Sequence, residues 1–515
     1  MEPSEEKPEA LDVHVEEAQP KIGRNGVILI PRPSDDPRDP LNWPTSKKIL
    51  TLVIVCLASF AGLIGPQANL AGYMIQAEVY GTTPLRVAYS LTGAGVALAV
   101  GPFLWSPLSK VMGRNVMIFW SMTILAMCNI WAACMNGPND YAPYMASKVI
   151  GSWFASASAS ISASILVEIF FLHDRGKAFA IWLNCGLMGS CAAGTVSGYI
   201  VQNTTWQVQF WYNVGLEFFV ALLSLFFLDE TRFVRDGDAQ EQTPRLGTLS
   251  RLAGFLLLKR TVPRKTFRDF LGYAAMPFKA AYSPTAALVG LALMMSITWA
   301  TAVNTSLALF LQAPVEQGGY GFTPAENAAF TFTTWVAVAV SQLYSQLVND
   351  RLPLAICKRR RGVWHPEYRL YPLVLPMGIA SITGLAVFGV ALQHHWDRIV
   401  LAFGMFLIYF ADISTISPSS TYVVESIGTE AATEVITVLS FSRLILGVLV
   451  PLFLFDWIAA VGVNWVFGTM AFMNAAAFGI VFILMIFGSR LRNLDRVGTQ
   501  AEDEIKVMPA TIVAH

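Results

Sequence analysis

Long apolar runs separated by short polar stretches recur along most of this chain. A helix needs roughly 20 predominantly apolar residues to cross the hydrocarbon core of a bilayer. Runs bounded by charged residues and by Pro or Gly clusters predict twelve such helices, near residues 49–70, 87–107, 116–135, 144–167, 179–201, 208–228, 285–310, 327–348, 371–392, 398–420, 434–454 and 463–487. The pattern therefore predicts an all-α integral membrane protein with twelve transmembrane helices.

Polar stretches divide the chain into five parts. Residues 1–48 and 488–515 are polar tails that we expect to be disordered, and residues 229–284 form the longest polar interval between apolar runs. That interval separates six predicted helices over 49–228 from six over 285–487. Two six-helix halves joined by a charged loop are typical of internally repeated transporters.

Composition supports a membrane protein and excludes several other classes. The chain is 54% apolar and 14% charged, whereas about a quarter of the residues of a soluble protein are charged. This excludes a disordered chain and a basic nucleic-acid binder, and it argues against a soluble multidomain enzyme. We therefore expect a lipid bilayer around the protein and no nucleic-acid partner.

The distribution of Lys and Arg predicts the orientation, because cytoplasmic loops carry an excess of both residues. With the N-terminus in the cytoplasm, 31 Lys and Arg fall in cytoplasmic segments and 2 in external loops. We therefore expect both termini to be cytoplasmic, and no secretory signal peptide is visible.

The chemistry of a cofactor enzyme is not visible in the sequence. The six cysteines and six histidines show no metal-ligand spacing, and no phosphate-binding Gly-rich loop followed by Lys and Ser or Thr occurs. We expect no metal, no cofactor, no disulfide and no catalytic residue. The protein is not predicted to be an enzyme.

Five short motifs lie between or beside the predicted helices. They are Asp36-Pro-Arg-Asp-Pro-Leu-Asn-Trp43, Ser106-Pro-Leu-Ser-Lys-Val-Met-Gly-Arg114, His173-Asp-Arg-Gly-Lys177, Asp229-Glu-Thr-Arg232 and Pro366-Glu-Tyr-Arg-Leu370. The second motif predicts a tight turn at Gly113, after which a basic residue clamps acidic groups and helix C-termini.

In their order and positions, these motifs resemble those of fungal major facilitator transporters of the drug:proton antiporter group. That branch also contains polyamine and cation importers. The resemblance implies a major facilitator fold and a monomeric, proton-coupled transporter of small molecules, most simply an exporter of drugs or secondary metabolites. It further implies the plasma membrane, with the vacuolar membrane as the alternative.

Some positions depart from the family pattern. Lys110 stands where the loop motif usually carries an acid, and Lys148 stands where the fourth helix usually carries Arg. The fifth helix lacks the Gly-Pro pair that is usual in exporters. The direction of transport therefore stays open. The residues assigned to gating and to the loop motifs are Lys110, Gly113, Arg114, Lys148, Asp174, Arg175, Glu230, Arg232, Pro418 and Arg443.

Ionisable residues inside the apolar runs are candidates for proton coupling, because each costs roughly 2.5–3.5 kcal/mol on insertion scales. Glu217 lies near the centre of the sixth helix, where it either exchanges a proton or only packs two helices. Asp412 and Arg443 lie at similar depths on consecutive helices, so Asp412 is either ion-paired or free to titrate. Lys148 either faces the cavity or snorkels towards water.

Polar and aromatic side chains in the predicted helices are candidates for the substrate cavity. They suit an amphipathic or cationic ligand through cation–π contact, and helix packing is the alternative for each. The candidates are Asn184, Asn213, Trp299, Asn304, Trp335, Gln342 and Tyr422. Pro418, in a run rich in Ser and Thr, marks either a gating hinge or a static kink.

Three functional hypotheses follow. The first is a proton-coupled exporter of small organic molecules that works by alternating access, with Glu217 and Asp412 carrying protons. The second is a proton-coupled importer of polyamines or organic cations. The third, of a different class, is a membrane sensor that has lost transport.

Overall fold

A computed structural model describes residues 33–34, 36, 38–233, 267–349, 351–360, 364–427 and 432–492. Most of the two predicted tails and of the predicted central loop lies outside these residues. The described parts of the tails are not disordered, because a 3-10 helix over Pro40–Asn42 leads into the first α-helix at Thr45, and the last α-helix continues to Arg492. Within the described part of the chain, every regular element is helical.

Seventeen α-helices are described. They are α1 (Thr45–Ile64), α2 (Tyr73–Val79), α3 (Pro84–Val100), α4 (Pro102–Met112), α5 (Arg114–Cys134), α6 (Tyr141–Ile169), α7 (Leu172–Asn203), α8 (Val208–Phe227), α9 (Phe267–Ala281), α10 (Pro284–Gln312), α11 (Pro324–Tyr344), α12 (Arg351–Arg359), α13 (Ser381–Gln393), α14 (Arg398–Ile427), α15 (Ala432–Leu449), α16 (Leu454–Val461) and α17 (Val463–Arg492).

Each of the twelve predicted spans has a helical counterpart. Ten rods are long and apolar enough to cross a membrane, and α3 with α4 forms an eleventh that bends by 47°. The twelfth is α11, which is 21 residues long and lacks an 18-residue stretch as apolar as those of the other ten. The ninth rod begins earlier than predicted, because 3-10 and π turns over Pro366–Val374 and Leu375–Ala380 lead into α13. The observed architecture is that of the predicted all-α fold.

Four shorter helices were not predicted. They are α2, α9, α12 and α16, of 7, 15, 9 and 8 residues. None is long enough to span a bilayer, so a search for long apolar runs misses them. The helix α9 lies inside the interval that was predicted as a loop.

The two halves repeat one ionic arrangement. In the first half, Arg114 at the start of α5 forms an ion pair with Glu168 at the end of α6. In the second, Arg369 at the start of the ninth rod pairs with Glu425 near the end of α14, at 3.0 Å. The same pair therefore joins the third and fourth rods of each half, as expected for an internal repeat.

The halves meet mainly along two seams, where α7 packs against α11 and α3 packs against α15. Because the rods alternate in direction, loops rich in Lys and Arg gather at one end of the bundle. We call this end the basic end; it carries Lys47, Lys110, Arg114, Arg232, Arg369 and Arg492. The opposite end, where α1 ends and α10 ends, is called the far end.

Candidate functional site

A narrow polar cleft lies between the two halves. It is nearly closed in this conformation, with a cavity volume of about 20 Å³. Its lining residues share small or hydrogen-bonding side chains without formal charge, and they are Ser190, Cys191 and Gly194 of α7, Asn304 of α10, Thr331 and Thr334 of α11, and Tyr409 of α14. Because one helix of the first half and three of the second line it, any movement of the halves changes its shape.

Hydroxyl groups join the halves at the edge of the cleft. Thr195 Oγ1 of α7 lies 2.8 Å from Thr331 Oγ1 of α11. Trp335 Nε1, one turn along α11, donates to the same Thr195 oxygen at 3.0 Å. Thr331 and Trp335 are four residues apart and therefore share one helical face. The predicted cavity residue Trp335 thus lies beside the cleft with its indole N–H satisfied.

The turn that follows α1 forms a second link across the cleft. Gln67 Nε2 donates to Ser190 Oγ at 2.7 Å. Asn304 Nδ2 of the second half donates to Gln67 Oε1 at 3.3 Å. One glutamine therefore connects both halves. Asn304 lines the cleft, and its role in binding a substrate stays a prediction.

Contacts between the halves continue towards the far end. Gln312 Nε2, at the end of α10, donates to the backbone oxygen of Ala71 at 3.2 Å. Gly198 of α7 packs directly on α11, because a Cβ at this position would lie 2.6 Å from the Cβ of Ala328. The far end is therefore closed by close helix contact as well as by hydrogen bonds.

Asp412 lies on α14 one turn from the cleft residue Tyr409. It lies close to Tyr409 and Cys191, which line the cleft. The Oδ1 atom of Asp412 is buried and has no hydrogen-bond partner among the described residues. A carboxylate with an unsatisfied oxygen beside a polar cleft can take up a proton or a ligand donor group.

Arg443 on α15 interacts electrostatically with Asp412. Both residues lie in the described part of the chain, and no direct ion pair joins their side chains there. Arg443 Nε is itself buried without a hydrogen-bond partner there. Equal depth on consecutive helices therefore does not bring the two charges into contact in this conformation. The direct pair, one of the two alternatives left open by the sequence, is not formed here.

Glu217 lies inside the first half and is fully buried. Asn129 Nδ2 of α5 donates to both of its carboxylate oxygens, at 2.7 and 2.9 Å. Gly65, at the end of α1, leaves just enough room for this carboxylate, because a Cβ there would overlap Glu217 Oε1. Glu217 does not line the cleft. Its contacts join α5, α8 and the end of α1, which fits the packing alternative.

Lys148 of α6 is buried and does not reach water. Its Nζ donates to the backbone oxygens of Gly65 and Ala68, at 3.1 and 3.3 Å. These carbonyls lie at the C-terminal end of α1, where a cation is favourable for the helix dipole. Snorkelling is therefore excluded for this side chain, and Lys148 holds the end of α1 from within the first half.

The basic end is closed by an ion pair between the halves. Lys110 Nζ of α4 lies 2.5 Å from Glu434 Oε1 in the first turn of α15. Arg232 Nη1 donates to the backbone oxygen of Lys110. Lys110 stands where the family motif usually carries an acid, and its partner is an acid of the other half, Glu434.

The predicted turn at Gly113 is present, since this residue has φ +100° and separates α4 from α5. The backbone N–H of Arg114 donates to Glu230 Oε2 at 2.9 Å, and Arg114 Nη1 donates to the Ser164 oxygen at 2.8 Å. Burial raises the pKa of Glu230, whereas the guanidinium of Arg114 acts to lower it. Arg114 and Glu230 thus tie three helix ends together.

Several predicted site residues lie away from the cleft. Asn184 is half-buried on α7 and Gln342 half-buried on α11, while Asn213 and Trp299 are buried in α8 and α10. Asn184 Oδ1, Asn213 Oδ1 and Trp299 Nε1 have no hydrogen-bond partner within the described ranges. None of the four lines the cleft, so their assignment to the substrate cavity stays a prediction.

Tyr422 was predicted to line the cavity, and the structure places it elsewhere. It is fully buried in α14, and its hydroxyl lies against Gly488 of α17, close to Glu367 at the basic end. Because α14 continues to Ile427, Tyr422 lies three and a half turns beyond Tyr409, which lines the cleft. The helix α14 is longer than predicted, and this places Tyr422 near the basic end instead of in the cleft.

Other gating residues lie at or near the basic end. Asp174 is in the first turn of α7, and Arg175 Nη2 donates to the Val167 oxygen at 3.0 Å. Pro418 is buried inside α14, which continues as a helix through it from Arg398 to Ile427. The backbone at Pro418 is therefore not broken in this conformation, and its role as a hinge stays a prediction.

Most of the cleft lining was not predicted from the sequence. Cys191, Thr331, Thr334 and Tyr409 are small or hydrogen-bonding residues inside apolar runs, where Ser and Thr usually bond to their own helix backbone. A signal existed in α11, where Thr331, Thr334 and Trp335 lie at helical spacing on one face. Only the packing of α7 against α11 identifies which such face meets the other half.

Comparison with known proteins agrees with this architecture. The family model described as Major Facilitator Superfamily matches residues 49–451. The chain is 23% identical to the Uncharacterized transporter mfc1 of Schizosaccharomyces pombe, covering 89% of this chain and 93% of that protein. It is 24% identical to the MFS transporter fsa7 of a Fusarium species (89% and 88% covered). It is 23% identical to the Efflux pump radE of Floropilus chiversii (90% and 84% covered).

Solved structures show the same fold. The proton:xylose symporter XylE, bound to 6-bromo-6-deoxy-D-glucose, matches with a TM-score of 0.60 and 12% identity, covering 86% of this chain and 96% of that one. The nucleoside transporter NupG, solved as a point mutant, matches with a TM-score of 0.55 and 12% identity, covering 84% and 99%. At this identity the likeness concerns the fold alone.

Proposed function

Because the chain belongs to the Major Facilitator Superfamily, whose members are membrane transporters, we propose that it is a proton-coupled secondary transporter exporting small organic molecules. The observation that carries this proposal is the polar cleft at the seam between the halves. Inter-half contacts lie on both sides of it, with Gln312–Ala71 towards the far end and Lys110–Glu434 at the basic end.

Alternating access follows from these two sets of contacts. When one half rocks against the other, the contacts at one end of the cleft break and that end opens, while the contacts at the other end stay formed. The far-end contacts are neutral hydrogen bonds and close helix packing, whereas the basic-end contact is an ion pair between Lys110 and Glu434. The cleft is thereby exposed to one side of the membrane at a time.

Asp412 is the proposed proton carrier. It lies close to the cleft residues Cys191 and Tyr409, and its Oδ1 has no hydrogen-bond partner among the described residues. An ionisable group inside a membrane protein marks a proton or substrate pathway. As the cleft opens to each side in turn, this carboxylate exchanges a proton with the solution on that side. Glu217 is assigned a supporting role, because it contacts Asn129 and the end of α1 instead of the cleft.

The cleft favours a neutral or weakly cationic organic substrate with hydrogen-bonding groups. Its lining supplies hydroxyl, thiol and amide groups and a phenol, without a formal charge. Trp335 at its edge adds an aromatic surface for stacking or cation–π contact. Export is supported by the relative named as an efflux pump. The proposed orientation places the basic end in the cytoplasm and the protein, as a monomer, in the plasma membrane.

The test uses purified full-length protein in proteoliposomes that contain a pH-sensitive dye. A panel of fluorescent amphiphilic organic compounds is added, and proton movement and compound movement are followed together. We expect that, with the wild-type protein, movement of at least one compound across the membrane is accompanied by proton movement in the opposite direction. Asp412→Asn should abolish the proton movement. The control is the same substitution at an exposed aspartate of α16, Asp456→Asn, which should not abolish it.

Direction is measured in cells that lack or overproduce the protein, with and without a proton gradient. Accumulation of a transported compound that rises on deletion supports export, whereas accumulation that falls on deletion identifies an importer. Compound flux without proton movement contradicts proton coupling. Absence of any flux across the panel, with protein that binds the same compounds, favours a sensor.

A further inference from the structure

The helix α9 bridges the two halves at the basic end. It packs against α4 of the first half and against α15 of the second. Phe278 of α9 stacks on Phe103 of α4 at 5.4 Å between ring centroids, and Phe103 meets Phe441 of α15 edge-on at 5.3 Å. Three aromatic rings from three helices therefore form one cluster across the seam.

This bridge lies directly beside the ion pair of the basic end. Lys110 Nζ, which contacts Glu434, also lies 5.3 Å from the ring centroid of Tyr273 in α9. A cation this close to the face of a ring is attracted by it. Any force that keeps α9 in place therefore also favours the closed state of the basic end.

The outer face of α9 is amphipathic. Leu271, Phe278 and the following Tyr282 are 60%, 59% and 88% exposed. At 100° per residue they lie within about 40° of one another around the helix. Arg268 and Lys279 are also exposed, are eleven residues apart, and form a neighbouring basic stripe. An apolar band beside a basic stripe is the pattern of helices that lie in a membrane interface.

The chain connection places this face at the membrane surface. Only Tyr282 and Ser283 separate the end of α9 from α10, which is a membrane-spanning helix. The side chain of Ser283 accepts a hydrogen bond from the backbone N–H of Ala286, which fixes where α10 begins. The exposed Tyr282 lies at the boundary, where aromatic side chains are enriched in membrane proteins.

We propose that the outer face of α9 is a docking surface for anionic phospholipids of the leaflet at the basic end. Leu271, Tyr282 and the exposed edge of Phe278, whose ring also stacks on Phe103, pack against the upper part of the acyl chains. Arg268 and Lys279 bind the anionic headgroup, since basic residues near such a surface attract acidic lipids. Bound lipid holds α9 against α4 and α15 and thereby stabilises the conformation that is closed at the basic end.

The test uses full-length protein in nanodiscs of phosphatidylcholine alone or with phosphatidylserine. Native mass spectrometry measures the phosphatidylserine retained by the protein, and the unfolding temperature measures its effect. Arg268→Gln with Lys279→Gln should lower the affinity for phosphatidylserine about 30-fold, from about a factor of five for each cation, and should remove the rise in unfolding temperature. Arg268→Lys with Lys279→Arg, which keeps both charges, should behave like the wild type.

A matched control removes two charges from another helix at the basic end, by Lys358→Gln with Arg359→Gln in α12. An equal loss of lipid in this control shows general surface charge and overturns the assignment to α9. Wild-type retention of phosphatidylserine by the Arg268→Gln, Lys279→Gln variant also overturns it. Inorganic phosphate added to phosphatidylcholine nanodiscs should leave the unfolding temperature unchanged; an equal rise assigns the effect to a free anion and contradicts a lipid surface.

Discussion

Lys110 Nζ lies 2.5 Å from Glu434 Oε1, and these two residues belong to opposite halves of the bundle. Their side chains are 24% and 6% exposed, so water screens the pair only in part. Lys110→Glu places two acids against each other. It should favour opening of the basic end by about 1 kcal/mol, which raises the population of the open state about fivefold. Labelling of the cleft residue Cys191 by a thiol reagent from the basic-end side, followed by peptide mass spectrometry, measures the change.

The double variant Lys110→Glu, Glu434→Lys restores opposite charges and should return the labelling of Cys191 towards the wild-type rate. A matched control is Lys47→Gln, because Lys47 pairs with Asp229 at the same end but within one half. If Lys47→Gln raises the labelling as much as Lys110→Glu does, the Lys110–Glu434 pair is not a gate.

Gly198 sets the approach of the two halves towards the far end. A Cβ there would collide with the backbone oxygen of Pro324 and lie 2.6 Å from the Cβ of Ala328. Gly198→Ala should therefore push α7 away from α11 and raise the labelling of Cys191 from the far-end side severalfold. Gly468→Ala on α17, where nothing lies within 4 Å of the added Cβ, should leave it unchanged. Equal labelling of the two variants would rule out this contact as a constraint on opening.

Gly65 makes room for the buried carboxylate of Glu217. Gly65→Ala brings a Cβ onto Glu217 Oε1 and to 3.3 Å from Asn129 Nδ2, and overpacking of a tight site typically costs about 1–3 kcal/mol. We expect a lower unfolding temperature. Gly215→Ala, on α8 with open space around the added Cβ, should instead keep or raise it, because Ala is the better helix former by roughly 1 kcal/mol. A Gly65→Ala protein as stable as Gly215→Ala would contradict this packing.

Glu217 and Asn129 should matter for stability more than for proton movement. Glu217→Ala leaves the buried amide of Asn129 without both of its acceptors, and an unsatisfied buried polar group costs about 1–3 kcal/mol. Glu217→Gln keeps one acceptor and should unfold at a temperature between those of Glu217→Ala and the wild type. In proteoliposomes, Glu217→Gln should retain substrate-driven proton movement that Asp412→Asn loses. Loss of proton movement in Glu217→Gln at wild-type stability would instead place Glu217 in the proton pathway.

The number of rods and the all-α class were predictable, because backbone groups in lipid must be hydrogen-bonded within a helix and such a helix must be apolar. The turn at Gly113 was predictable for a similar local reason, since the observed φ of +100° suits glycine. The burial of Glu217 also follows from its place in the middle of an apolar run. Each of these features depends on residues close together in the chain.

Partners across the structure were not predictable from the sequence. Periodicity identifies residues that share a helical face, but it does not say which helix that face meets. Glu434 is 324 positions from Lys110 and Asn129 is 88 from Glu217, so only packing brings them together. Asp412 and Arg443 show the converse, because similar depth on consecutive helices suggested an ion pair that is not formed in the described residues.

Hydrophobicity and turn chemistry act over a few residues, so the transmembrane helices, their grouping into two sets of six and the uneven distribution of basic loops could be read from the chain directly. The cleft lining, the partner of Lys110 and the position of α9 across the seam became visible only in the packed helices. Those features depend on the rotation of each helix about its axis and on its neighbours, which are set by contacts between residues far apart in the chain.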